Sequence, residues 1–206
     1  MLNHQNTVVL VVDIQERLLP VLHQSAEFAA ACRRWIQGSQ YLSLPIILTE
    51  QYPKGLGKTV ADVAVLLNDA PVFEKTRFSA FTEEVQAALA QHKPQNVILI
   101  GCEAHICVLQ TAWDLRGQGF EVYVPQECVT SRTAANKLTV LDLRAAGLEV
   151  YVPFDCTASR HPDNKENGLQ QMRDAGAVVS NIESLLFQML QDAQHPQFKN
   201  ISKLIA

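Results

Sequence analysis

Asn96-Val97-Ile98-Leu99-Ile100-Gly101-Cys102-Glu103-Ala104-His105-Ile106-Cys107-Val108 is the stretch whose reading decides the fold. An apolar run that ends in glycine reads as a buried strand, and Val108-Leu109-Gln110-Thr111-Ala112-Trp113-Asp114-Leu115 reads as the helix that follows it. Cys107 then falls at a helix start. There the unpaired backbone N–H groups and the positive end of the helix dipole favour a thiolate, which is one way to prepare a nucleophile. The same position also suits a small buried hydrophobe, the ordinary state of a free cysteine.

Upstream, Thr7-Val8-Val9-Leu10-Val11-Val12-Asp13 is a β-branched run closed by an acid, as expected of a central parallel strand. Phe28, Cys32, Trp35, Ile36 and Ser39 recur at helical spacing over 26–41 and lead to a second strand at Pro45-Ile46-Ile47-Leu48-Thr49. Residues 50–58, with Pro53, Gly55 and Gly57, read as a mobile loop at that strand's carboxyl end. Its Tyr52 either covers a pocket or packs. A short helix over 60–67 precedes a third strand, Pro71-Val72-Phe73-Glu74-Lys75, and a further helix starts near Thr82 with Glu83 and Glu84 in its first turn. Alternating strands and helices of this kind predict an α/β fold with a doubly wound parallel sheet, Rossmann-like.

In such sheets the ligand crevice lies outside the carboxyl ends of the strands, where the strand order reverses. Asp13, Lys75 and Cys107 each close a different strand. Each has a bland role open to it: helix cap, solvated strand end, core filler. Together they are a base, a cation and a nucleophile at equivalent ends of one sheet, a far less accidental set.

Composition narrows the function classes. The chain has 206 residues, enough for one domain with a sizeable core, and a net charge of −4 without a basic cluster, so neither nucleic acid nor an anionic membrane is expected as a partner. Five cysteines without C-x-x-C spacing, and no charged-then-apolar leader, predict free thiols in a reducing cytoplasm. No apolar run is long enough to span a bilayer.

Val11-Val12-Asp13-Ile14-Gln15, Lys75-Thr76-Arg77-Phe78-Ser79-Ala80-Phe81 and Gly101-Cys102-Glu103-Ala104-His105-Ile106-Cys107-Val108 carry a resemblance, in motif and in spacing, to the isochorismatase-like cysteine hydrolase superfamily. Residues 48–57 and the tail 192–199 are similar to its branch of isochorismatase domain-containing proteins. The resemblance covers nearly the whole chain. It implies an isochorismatase-like hydrolase fold of six strands and an Asp13–Lys75–Cys107 triad. In that triad Asp13 takes the thiol proton, Lys75 supports the thiolate, and Cys107 attacks a small amide to give a thioester. It also implies an oxyanion hole from the N–H groups of Glu103 and Cys107, with a cis peptide between Cys102 and Glu103. Homo-oligomers, dimers or larger, are common among such proteins.

Other residues around these motifs are candidates for substrate contact. Gln15 suits a hydrogen bond to substrate or backbone, Phe78 and Phe81 a pocket wall or core, and His105 a pocket lining or a packing role rather than an acid or base. The nicotinamidase branch carries an Asp-x-His-x-His metal motif after the second strand, where this chain has Glu50-Gln51-Tyr52-Pro53-Lys54, so no metal and no cofactor is expected. His4, His23, His92, His161 and His195 show no ligand spacing. Some family members that lack the cysteine hydrolyse a vinyl ether, isochorismate. Cys107 favours C–N hydrolysis of a small molecule over that alternative. A non-catalytic or redox-sensing domain that keeps the fold is the third possibility.

One feature departs from the family pattern. Residues 110–137 are echoed by 138–165: Asp114-Leu115-Arg116 recurs as Asp142-Leu143-Arg144, and Gly119-Phe120-Glu121-Val122-Tyr123-Val124-Pro125 as Gly147-Leu148-Glu149-Val150-Tyr151-Val152-Pro153. Duplication of one strand-plus-helix unit inside a single domain, 1–206, predicts an extra strand. Both 120–124 and 148–152 are then expected in one sheet, between the Cys107 strand and a last strand near Ala177. Phe198, Ile201, Leu204 and Ile205 in the tail predict a helix docked on its own domain or on a neighbouring subunit.

Overall fold

The computed structural model describes residues 3–67, 69–124, 128–130, 151–153, 178–180, 182–190 and 195–205. In chain order the elements are β1 (Thr7–Val12), α1 (Ser25–Tyr41), β2 (Ile46–Gln51), α2 (Pro53–Leu56), α3 (Ala61–Ala64) and β3 (Val72–Lys75). There follow α4 (Glu83–His92), β4 (Asn96–Cys102), a π-helical turn (Ala104–Val108), α5 (Leu109–Gly117), β5 (Glu121–Tyr123) and β6 (Val129–Thr130). The remaining described elements are β7 (Tyr151–Pro153), β8 (Val178–Ser180), α6 (Ile182–Leu190) and α7 (Phe198–Ile205).

The main sheet is parallel, in the order β3-β2-β1-β4-β5, with β6 also on β4. Every residue of β1 and β4 is buried, which explains their unbroken apolar sequence: both faces of a central parallel strand are covered. Side chains alternate between the faces. Val9, Val11, Ile98 and Ile100 meet Phe28, Trp35 and Ile36 of α1 and Leu186 and Met189 of α6. Val8, Leu10, Val97 and Leu99 meet Val85 and Leu89 of α4 and Leu109, Ala112 and Leu115 of α5. The sheet is therefore doubly wound, as expected.

Local signals place the helices. Thr82 caps α4 by accepting from the Val85 N–H at 3.4 Å, and Glu83 and Glu84 occupy its first turn. At the end of β4 the φ of Gly101 is +147°, and a Cβ there would lie 2.1 Å from the Val12 carbonyl oxygen. Only glycine lets β4 run this close to β1, so the switch point of strand order is a tight seam. The tail docks on its own chain: Ile201 of α7 is buried, and Phe198 packs on Phe187 of α6 with ring centroids 5.6 Å apart.

Two expectations about layout change. Residues 50–58 are not a free loop: Glu50 and Gln51 belong to β2, and α2 follows directly. The segment is pinned because Glu16 N–H donates to the Lys58 carbonyl, Arg17 N–H to Leu56, and the Arg17 guanidinium to Gly55 at 2.7 Å. The echoed strands also part company. Tyr123 pairs with β4 in the main sheet, whereas Tyr151 to Pro153 pairs with Val178 to Ser180 in a two-stranded sheet that no pairing among the described residues joins to the main one. Along β4, β5 takes Asn96 to Ile98 and β6 takes Gly101 and Cys102. Most of 131–177 lies outside the described residues, and the linking part of the repeat with it.

Candidate active site

Asp13, Lys75 and Cys107 converge at the carboxyl ends of β1, β3 and β4. Asp13 leaves β1 in the left-handed region, φ +57°, and its carboxylate meets Thr49 of β2 and Lys75 of β3. Lys75 Nζ lies 2.7 Å from Asp13 Oδ2, and both side chains have no solvent exposure. Cys107 lies beside the same carboxylate, close enough for the two groups to influence each other's charge. Burial pushes the Asp13 carboxyl up, against the charge of Lys75 and hydrogen bonds from Lys75 and Thr49.

The thiol departs from expectation. A helix start draws a cysteine toward its thiolate, but burial, with the adjacent Asp13 charge, pushes Cys107 up to about 12, and Lys75 only partly opposes this. The turn itself differs too. Cys107 sits in a π-helical turn ahead of α5 rather than in a first α-helical turn, and π-turns concentrate where a fold aims a side chain. The Cys107 carbonyl accepts from the Thr111 hydroxyl at 2.6 Å, and that hydroxyl accepts from the Ala80 N–H at 2.7 Å. Thr111 thereby ties the cysteine's turn to the segment after Lys75.

No cis peptide bond occurs among the described residues, so the one expected between Cys102 and Glu103 is absent. The chain reverses instead through Glu103, held at φ +55°. A non-glycine residue there costs about 1 kcal/mol, which the buried surroundings of Glu103 must sustain.

The remaining candidates divide. Tyr52 and Phe78 are exposed, and their backbones flank the lysine: Tyr52 N–H donates to the Lys75 carbonyl at 2.8 Å, and the Phe78 carbonyl accepts from Lys75 Nζ at 3.0 Å. Phe81 is buried and meets Phe120 edge-on, centroids 6.2 Å apart. Gln15 is fully buried and its carboxamide is spent on backbone, donating to the Gln51 and Gly57 carbonyls and accepting from the Gln51 N–H at 2.8 Å. His105 belongs to the π-turn, and its side chain lies outside the described residues.

Two residues that the sequence pattern does not single out complete the cluster. Thr49 donates to Asp13 Oδ1 at 2.9 Å, and Gln51 Oε1 accepts from Lys75 Nζ at 2.7 Å. They stand two apart on β2 and so share a face. Between them Glu50 points the other way, where its carboxylate accepts from the Thr59 N–H at 2.7 Å and pairs with Lys58 at 3.1 Å. Burial pushes the Glu50 carboxyl up, but the bonds from Thr59 and Lys58 outweigh it and hold the group below its usual value. No grouping of three His, Cys, Asp or Glu side chains able to hold a metal occurs among the described residues. Two clefts, of about 380 and 280 Å³, open at the amino end of the sheet around Ser43, Pro45 and His92 and include none of the strand-end residues.

The Isochorismatase domain model matches residues 7–139 and 134–184. Isochorismatase domain-containing protein 2 of Danio rerio is 34% identical over 206 residues, covering 100% of this chain and 89% of that protein. The secreted isochorismatase effector Isc1 of Phytophthora sojae is 32% identical, over 97% of this chain and 84% of its own. This chain spans 62% of the Danio rerio isochorismatase domain-containing protein 1. Among solved structures, the MAR1 ribonuclease of Caenorhabditis elegans superposes with a TM-score of 0.76 at 34% identity, over 99% of this chain and 91% of that one. The octameric YcaC hydrolase of Escherichia coli has a TM-score of 0.70 at 19% identity, over 98% and 94%, a likeness of fold.

Proposed function

The chain belongs to the isochorismatase family, and from that premise we propose that it is a metal-independent cysteine hydrolase that cleaves the C–N bond of a small amide through a thioester on Cys107. The observation that carries this reading is the buried Asp13–Lys75 pair at 2.7 Å, with Cys107 beside the same carboxylate.

A thiol held near 12 does not ionise alone at neutral pH. It must pass its proton to a base as it attacks, and Asp13 lies beside it, with burial making its carboxylate a stronger base than a solvated one. Sulfur bonds to the amide carbon, the proton moves to Asp13, and the ammonium of Lys75 offsets the negative charge that develops. The backbone N–H groups of Glu103 and Cys107 are assigned to the resulting oxyanion. When the tetrahedral intermediate collapses, the C–N bond breaks and Asp13 returns the proton to the departing amine. Water, deprotonated by Asp13, then releases the acid and restores the thiol.

Tyr52 and Phe78 are assigned to the rim that receives substrate, Phe81 to its wall and His105 to its lining, while Gln15 holds the segment under Tyr52 rather than the substrate. The chain is read as one domain, 1–206, carrying the duplication of 110–137, and as a homo-oligomer. Cys32, Cys102 and Cys107 are buried thiols outside any disulfide, which favours a reducing, cytoplasmic setting. No helix among the described residues is long and apolar enough to cross a membrane.

Two other reactions compete. The name of the Caenorhabditis elegans relative raises RNA cleavage, which the net charge of −4 disfavours because phosphate contacts draw on Lys and Arg. Vinyl ether hydrolysis leaves no use for the thiol. The test is ammonia release from a panel of small primary amides by the wild type and by Cys107→Ala, with pyruvate release from isochorismate and cleavage of an RNA oligonucleotide run alongside. Ammonia release abolished by Cys107→Ala is expected. Equal turnover by that variant, or activity confined to isochorismate or RNA, overturns the proposal.

A further inference from the structure

Lys75 is held from more directions than a simple ion pair needs. Its ammonium offers three N–H groups, yet four acceptors surround it: Asp13 Oδ2 and Gln51 Oε1, each at 2.7 Å, and the carbonyls of Phe78 at 3.0 Å and Arg77 at 3.2 Å. Gln51 is thus as close to the ammonium as the carboxylate is. Its orientation is fixed, because Nε2 donates to the Thr76 carbonyl at 2.8 Å and a flipped amide would aim N–H groups at a cation. Its backbone is fixed as well, by the Gln15 carboxamide on both its N–H and its C=O, and by a register that sets it directly opposite Lys75 on β3.

An acceptor in this place has two common forms, amide or carboxylate. Glutamate would keep the oxygen but put a second negative charge on a buried ammonium. The cluster of Asp13, Lys75 and the position at 51 would then carry a net −1 instead of zero, and a negative cluster opposes charge on the Cys107 sulfur. Building on the triad reading above, we propose that Gln51 is a positioning residue that sets the charge balance of the site: it shares Lys75 with Asp13 as a neutral acceptor, so that the ammonium's charge remains available to the attacking thiol.

The test is the pH profile of Cys107 alkylation by iodoacetamide, followed by peptide mass mapping of the full chain, in the wild type, Gln51→Glu, Gln51→Met and Lys75→Met. Gln51→Glu is expected to displace the profile upward by about one pH unit, about tenfold slower at a fixed neutral pH. Gln51→Met, neutral but unable to accept, is expected to slow labelling severalfold with the profile in place. If Gln51 merely holds the fold, both variants lower the melting temperature and neither moves the profile. A Gln51→Glu profile that superimposes on the wild type, or, should that variant not fold, Gln51→Met labelled at the wild-type rate, overturns the proposal, provided Lys75→Met is slow. A wild-type rate in Lys75→Met overturns the triad reading itself.

Discussion

Lys75→Met removes a charge whose partner has no solvent to turn to. Asp13 and Lys75 are 2.7 Å apart with both side chains fully buried, and breaking such a pair from one side costs about 3–5 kcal/mol because the remaining charge is left uncompensated. For a chain of this size that corresponds to a fall in melting temperature of roughly 10 °C. The loss has a pH signature. Without the ammonium, burial drives the Asp13 carboxyl further above its usual value, and a carboxyl raised in the folded state contributes stability below its unfolded value that is lost as pH rises toward the folded one. The deficit of Lys75→Met is therefore smaller at pH 5 than at pH 8, growing by at most about 1.4 kcal/mol per pH unit. The double variant Asp13→Asn/Lys75→Met leaves no charge behind, and the carboxamide oxygen in place of the carboxylate can still accept from Thr49, so it should recover much of the loss. Chemical denaturation of the two single variants and the double one across pH 5–8 measures all of this. A deficit independent of pH, or a double variant no better than Lys75→Met, refutes the reasoning.

Three further outcomes are expected. Because the Cys107 thiol is raised to about 12, its contribution is complete below the unfolded thiol value and falls away above about pH 9, so Cys107→Ser should lose stability less steeply than the wild type between pH 9 and 11 in thermal melts. Glu50 is held low instead: Glu50→Gln should cost about 1–3 kcal/mol at neutral pH, and the difference from the wild type should close as pH falls below the usual carboxyl value of 4.5. Light scattering at micromolar concentration should return a homo-oligomer, and a monomer contradicts that reading.

Much of the fold is written in local pattern. The runs of β1 and β4 declare strands covered on both faces, and the apolar spacing of α1 and α4 declares what covers them. The strand-end logic also finds Asp13, Lys75 and Cys107, because a parallel sheet puts the ends of successive strands on one side. What is not legible depends on neighbours distant in sequence. Gln51 reads as loop beside Pro53 and Gly55, and only its pairing with Lys75 extends β2 to include it. Gln15 leaves substrate and backbone both open in the sequence, because the Gln51 and Gly57 carbonyls that its carboxamide meets are distant along the chain. The thiol's upward displacement follows from burial beside Asp13, which a helix-dipole argument on Val108 to Leu115 cannot contain. The π-turn is hidden for the same reason: its five residues match a helical pattern as well as an α-turn would.

The central claim is that Cys107 carries the acyl group. Acid-quenched intact-mass spectrometry of the enzyme during turnover of any amide it hydrolyses, followed by peptide mapping, tests it most directly. The account predicts a gain equal to the acyl group, located on Cys107, sensitive to hydroxylamine as a thioester is, and absent from Cys107→Ser. Steady turnover with no acyl mass on Cys107, even where release of the acid is rate-limiting, or an acyl group on another residue, would contradict it.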